Sequence, residues 1–275
     1  MPFAGRRVLV TGGSSGIGAA SVLAFAAAGA EVVAAGRDAG RLEALRRRAD
    51  ETAGRDAVRT VRADLRDPAQ VDRLAELAWS RGRIDVLVNN AGVCTAEPFL
   101  DISPESWNEV LATNLTAPFL LAQHASRRMV GDGGGVIVNV ASTDSFVAES
   151  PLAHYCVSKA GILQLTRCIA WELGHLGVRC NAICPGLTLT PMVEADLGPE
   201  LETAYLPRIP LGRLGRPEEQ AQAILFLASD DASFVSGAAL LADGGQLAGF
   251  WYDPRFAPSP TGAPPTYASP TTTPT

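Results

Sequence analysis

Long apolar runs are missing from this sequence. The stretch that opens it, MPFAGRRVLV, meets Thr11, Gly12 and Gly13 too soon for a signal-peptide core or a membrane span. Cysteine is sparse: Cys94, Cys156, Cys168, Cys180 and Cys184 form an odd set with no Cys-x-x-Cys, which argues against a disulfide framework, and no His/Cys cluster has metal-ligand spacing. The expectation is reduced core thiols in a cytoplasmic protein without a metal. A positive face is lacking as well. The 23 Lys and Arg are dispersed among 29 acids, for a formal charge of -6, so nothing gathers a phosphate backbone. Neither nucleic acid nor a membrane is an expected partner.

What the sequence does have is a rhythm. Apolar residues make up 47% of its 275 positions and charged residues 19%, which supports a sizeable core. Short β-branched runs alternate with longer Ala-, Leu- and Arg-rich segments at helical spacing, the pattern of βαβ units around a parallel sheet. Strands are expected at 7–10, 31–35, 58–62, 86–89, 135–140, 178–183 and 238–241, and helices near 17–28, 40–53, 68–81, 104–130, 152–175 and 217–229. Pro68, Pro104 and Pro217 fall in first-turn positions, where a missing N–H costs little. The expected fold is α/β, Rossmann-like and doubly wound, with one seven-stranded parallel sheet and helices on both faces. No internal repeat divides it, and residues 1–252 read as a single domain. Residues 253–275, dense in Pro, Thr and Ser, read as a flexible tail or as an arm reaching across a subunit interface.

The run VLVTGGSSGIG places Thr11, Gly12, Ser14, Ser15, Gly16, Ile17 and Gly18 where the first strand gives way to the first helix. Gly12, Gly16 and Gly18 let bare backbone N–H groups and a helix N-terminus approach a pyrophosphate that a Cβ would obstruct. A glycine-rich bend alone is ordinary punctuation. Here it is followed by Asp64-Leu65, Asn89-Asn90-Ala91-Gly92, Asn114, Ser142, Tyr155-x-x-x-Lys159, Pro185-Gly186 and Asp243-Gly-Gly245. In this order and spacing the landmarks resemble the short-chain dehydrogenase/reductase family from residue 8 to about residue 245.

The resemblance implies an NAD(P)-dependent oxidoreductase that interconverts a secondary alcohol and a ketone by hydride transfer. It also implies a division of the cofactor site. Asp64 and Leu65 would border the adenine, and Asn89, Asn90, Ala91 and Gly92 the ribose side. The backbone of Thr188 would pair with the nicotinamide carboxamide, supported by the Thr190 side chain, with Pro185 and Gly186 shaping that strand end. Asn89 has an equally good structural role, tying neighbouring strands together.

After the second strand, an NAD site usually presents an acid to the ribose 2'-OH. The aligned position here is Gly36, followed by Arg37. A glycine leaves space for a 2'-phosphate and a guanidinium can grip it, which favours NADP over NAD. Ser15, standing where many NADP-dependent members carry a second basic residue, and the nearby Asp38 weigh on the other side.

Tyr155 and Lys159 are four residues apart in a segment with helical spacing, so a cation shares a helix face with a phenol. Lys159 and an oxidised nicotinamide would both favour the phenolate, suiting Tyr155 to act as general acid/base. The family assigns Lys159 a second task, hydrogen bonds to the nicotinamide ribose. Ser142, closing the fifth strand, would fix the substrate oxygen, and Asn114 would hold a water linking Lys159 to solvent. Singly, these residues read as surface decoration, a strand-end cap and a local kink; at family spacing they read as one catalytic set.

Substrate-facing positions would include Thr143, Asp144, Phe146, Glu149, Leu152, His154 and residues 189–206. Asp144, Glu149 and His154 make this rim polar, which points either to a hydroxylated or amine-bearing substrate or to side chains facing solvent on a loop. The family's acyl-carrier-protein reductases place basic residues where this sequence has Gly133 and Trp171, with Arg127 and Arg128 close by. An acyl-thioester 3-oxo reductase is therefore the alternative activity, and a non-catalytic dinucleotide sensor on the same fold a further one. The small-residue face of Ala160, Gly161, Leu165, Cys168 and Ile169 would pack on the core or on a partner subunit, and the family implies a homotetramer or homodimer.

Overall fold

The structure is a computed structural model that describes residues 1–54, 56–194 and 204–249. The expected tail and positions 195–203 of the variable segment lie outside the described residues. The sheet is built from β1 (Arg7–Thr11), β2 (Glu31–Gly36), β3 (Val58–Arg62), β4 (Val86–Asn89), β5 (Gly135–Val140), β6 (Val178–Pro185) and β7 (Ala239–Ala242). The strands are parallel and ordered β3-β2-β1-β4-β5-β6-β7.

Strands in such a sheet are apolar on both sides because helices cover both faces. Val8, Val10, Val32 and Val88 join one core with Phe25, Leu45 and Ile224. Their neighbours Leu9, Val33 and Leu87 face the other way and meet Leu74, Leu121 and Ile137. The first core is covered by α1 (Gly16–Ala27), α2 (Ala39–Ala53) and α8 (Pro217–Ala228), the second by α3 (Pro68–Trp79) and α5 (Ala117–Gly131). Each fully buried Val or Leu contributes roughly 1.5–3 kcal/mol by leaving water. The helix starts are fixed locally: Asp38 accepts from Arg41 N, Asp67 from Ala69 N and Ser103 from Ser106 N, each cap worth about 1 kcal/mol.

The expected single helix over 104–130 is not continuous. It divides into α4 (Pro104–Leu111) and α5, joined by a π-helical turn at Ala112–Thr116 in which Ala117 N donates to Ala112 O. The wider turn carries Asn114 inward to bond the loop after β4, a tertiary demand that periodicity does not register. After it come α6 (Ala153–Leu173) and the short α7 (Pro191–Glu194). On α6, Gly161 lies against Leu115 of the π turn, so at that position the small-residue face packs on the core. Strand order reverses between β1 and β4, and the carboxyl ends of the strands flanking that reversal open a crevice.

Candidate active site

A cleft of ≈ 630 Å³ runs along those strand ends, from Arg37 and Asp64 past the glycine loop to Ser142, Tyr155 and Thr190. At its floor Gly12 has φ +62, and a Cβ there would stand 2.8 Å from Ala91 Cα. A Cβ on Gly18 would overlap the Gly12 carbonyl oxygen. Asn90 holds this loop in place, its Nδ2 donating to the Thr11 and Gly12 carbonyls at 2.9 and 3.2 Å, while Thr11 Oγ1 accepts from Asn90 N and Ala91 N. The N-cap of α1, Ser15, makes no side-chain capping bond and the first turn carries no acid. Its N–H groups, beside Ser14, Gly16 and Ile17, are therefore free to meet an anion, and the cradle fits a dinucleotide pyrophosphate.

At one end of the cleft stand Arg37 and Arg41, both exposed. Arg41 has no counterpart in the sequence reading; its placement follows from the α2 start, where Asp38 caps the Arg41 N–H at 3.0 Å. That backbone bond, more than any other influence, lowers the Asp38 carboxyl. The acid that weighed against a 2'-phosphate is thus engaged in capping and lies 3.5 Å from Arg41 Nε. Asp64 also lines the cleft, but Arg66 grips its carboxylate at 2.6 Å and holds it down at about 2. Leu65, Ala91 and Gly92 complete this wall, and Pro185, Gly186, Thr188 and Thr190 form the opposite one.

The other end is set by α6. Lys159, buried, donates from Nζ to the Val140 carbonyl at 2.8 Å and lies 5.6 Å from the Tyr155 ring centroid. Burial lowers its ammonium to about 8. Burial also raises the Tyr155 phenol above its ordinary value, opposed by a hydrogen bond with the Ser142 side chain. In this environment desolvation, not the lysine, dominates the phenol, contrary to the simple expectation from their spacing. Asn114 is locked behind the wall: Oδ1 accepts from Val93 N at 2.8 Å and Nδ2 donates to Val93 O and Ser158 Oγ. A Cβ at Gly92 would meet Lys159 Nζ at 3.4 Å and Asn114 Oδ1 at 3.5 Å, so the lysine and the asparagine flank a single backbone point.

Comparison with known proteins agrees with this geometry. The family model described as enoyl-(acyl carrier protein) reductase matches residues 12–246. An L-rhamnose 1-dehydrogenase (NAD(P)(+)) of Azotobacter vinelandii is 41% identical over 87% of this chain and 96% of its own length. An acetoacetyl-CoA reductase of Rhizobium meliloti is 41% identical over 88% of this chain and 98% of its own. The fold matches a Beutenbergia cavernae structure with NADP bound at low occupancy, at a TM-score of 0.86 and 38% identity, covering 90% of this chain and 100% of that one. The chain belongs to the short-chain dehydrogenase/reductase family. It is an oxidoreductase acting between alcohol and carbonyl groups.

Within this short-chain dehydrogenase/reductase, several residues expected at the site stand elsewhere. Asn89 is buried and does not line the cleft; its Nδ2 donates to Asn139 Oδ1 at 2.9 Å and to Pro118 O at 3.3 Å. Of its two roles, the strand tie is the one its contacts fit. Thr11 and Gly18 act from beneath the floor, through the contacts above. His154 is fully buried and does not line the cleft, so the assignment to substrate is corrected: it sits on the inner side of the first α6 turn, where its Nδ1 accepts from Tyr155 N. Phe146 is exposed and away from the cleft. The thiols are not uniformly core either: Cys180 and Cys184 are buried, Cys94 lines the cleft, Cys156 is half-buried and Cys168 is exposed, and none is in a disulfide.

Asp144 and Glu149 do line the cleft. Asp144 is buried in the turn after β5, its N–H donating to Ser142 Oγ at 3.1 Å, and its carboxyl hydrogen-bonds the Glu149 carboxyl and the Ser142 and Thr143 hydroxyls. Burial raises both acids, Glu149 to about 7 with Asp144 adding to the rise.

Proposed function

We propose that this enzyme oxidises a small polar secondary alcohol, or reduces the corresponding ketone, with NADP as the preferred dinucleotide. The observation that carries the reading is the meeting of Tyr155, Ser142 and Lys159 with two carboxyl groups in one cleft. With its pyrophosphate held by the glycine cradle and its nicotinamide end beside Thr188 and Tyr155, the dinucleotide would supply or accept the hydride. Tyr155 passes the proton at its hydroxyl, Ser142 Oγ holds the substrate oxygen, and Lys159 bears the charge beside them. Asn114 acts as a positioning residue, fixing the Val93 loop next to Lys159. The Arg37 and Arg41 pair supports NADP, because two guanidiniums at one cleft end suit a 2'-phosphate.

The acetoacetyl-CoA reductase relative keeps acyl-thioester reduction as the second reading, which the acid-lined wall disfavours. The α5/α6 groove lined by Phe119, Val130, Leu165 and Ile169 supports assembly as a homotetramer or homodimer, checked by light scattering. Five cysteines without a disulfide suit a reducing compartment such as the cytoplasm. Steady-state rates on a panel of polyols, hydroxyketones and acyl thioesters with NADP and NAD test the proposal. Turnover confined to acyl thioesters, or an NAD preference of tenfold or more, contradicts it.

A further inference from the structure

The Asp144 and Glu149 carboxyl groups hydrogen-bond one another inside the cleft, so a proton must lie between them. Asp144 lies two residues after Ser142 in the turn after β5, its N–H donating to Ser142 Oγ, and Ser142 hydrogen-bonds Tyr155. The pair therefore borders the point where a substrate oxygen would be held. Positive charge near it is limited. Among the described lining residues the cations are Lys159, Arg37 and Arg41; the arginines follow β2, three strands across the sheet from β5. Arg208 influences Glu149 from outside the lining, with its guanidinium over the Tyr205 ring. The sequence from 180 to 207 contains no Lys or Arg.

We propose that Asp144 and Glu149 act together as a charge filter, admitting uncharged polyhydroxylated alcohols and hydroxyketones and rejecting substrates that carry a carboxylate or phosphate. Vicinal hydroxyls can donate to the two acids, whereas an anion would be desolvated against like charge. This deepens the reading of the cleft as a polar-alcohol site and rests on it.

The filter has a pH dependence. As pH rises through about 7, Glu149 gives up its proton and the pair gains one negative charge beside the Lys159 ammonium; burial raises Asp144 as well. The other titratable groups facing the pair, the Tyr155 phenol and the Cys156 thiol, are both raised by burial and stay neutral through this range.

The test compares matched substrates in which a CH2OH is replaced by a carboxylate: dihydroxyacetone against hydroxypyruvate, and 4-hydroxybutan-2-one against acetoacetate. The ratio of kcat/KM for the uncharged member over the anionic one is measured from pH 5.5 to 8.5 in the wild type, Asp144→Asn, Glu149→Gln and the double variant. The expected ratio favours the uncharged member, rises roughly tenfold across pH 7 in the wild type, and collapses toward unity in the double variant. A wild-type ratio that is flat with pH, or an unchanged ratio in folded variants, overturns the filter while leaving the oxidoreductase reading intact. Because the pH series needs no variant, misfolding of a mutant does not remove the test. No hydride transfer to any of the four compounds contradicts the underlying polar-alcohol reading and the filter with it.

Discussion

The Lys159 ammonium sits 5.6 Å from the centre of the Tyr155 ring while donating to the Val140 carbonyl at 2.8 Å. One helical turn of α6 thus delivers both groups, and β5 supplies the oxygen that orients the cation. Lys159→Met removes the charge and leaves that carbonyl without its donor. The expected result is a loss of kcat/KM of about 100-fold or more, with weaker NADP binding. In the wild type, ketone reduction should decline as pH passes about 8, where Lys159 deprotonates; the variant should lack that limb in its pH profile.

Arg37 and Arg41 line the end of the cleft assigned to a 2'-phosphate. A hydrogen bond to a charged group contributes about 1.5–3 kcal/mol, so Arg37→Ala and Arg41→Ala should each raise the KM for NADP roughly tenfold or more. The KM for NAD should change little, and comparing the two constants in each variant checks the assignment.

Asn89 separates structure from cofactor binding. Its bonds to Asn139 and Pro118 are buried, and removing one partner from such a pair costs about 1–3 kcal/mol. Asn89→Ala should lower the unfolding free energy by that amount in denaturant titrations and leave the dinucleotide Kd within about twofold. A large loss of affinity in a protein of unchanged stability would assign Asn89 to the cofactor.

Glu149 titrates at about 7 in the folded chain against an ordinary value of 4.5. Between those values the folded chain retains a proton that the unfolded chain has released, so the group favours folding fully below about 4.5 and this contribution is lost as pH rises through about 7. Thermal unfolding midpoints should therefore drop between pH 5 and 7 more steeply in the wild type than in Glu149→Gln. Parallel curves would contradict this.

Much of the framework was legible in the sequence because it is local. Residues such as Val8, Leu9 and Val10 are apolar in unbroken runs, which buried parallel strands require, and Pro68, Pro104 and Pro217 mark helix starts that the structure repeats. The glycine loop and the Tyr155 to Lys159 spacing were equally plain. What escaped depends on contacts far apart in the chain. The π turn answers to Val93, and nothing in the 104–130 pattern records it. His154 reads as a polar rim residue, yet helical phase turns it inward one position before Tyr155. Arg66 occupies the Asp64 carboxylate, and the capping geometry of Asp38 places Arg41 at the cleft; both depend on side-chain directions that a linear motif does not carry.

In the proposed reaction the Tyr155 hydroxyl moves the proton while the rest of the cleft binds the dinucleotide. Tyr155→Phe deletes that oxygen and keeps the ring beside Lys159. The most direct measurement is kcat alongside the NADP Kd for this variant. The expected result is a fall in kcat of about 10²–10⁴-fold with the Kd nearly unchanged, and turnover close to the wild type in Tyr155→Phe would contradict a proton-transfer role for this hydroxyl.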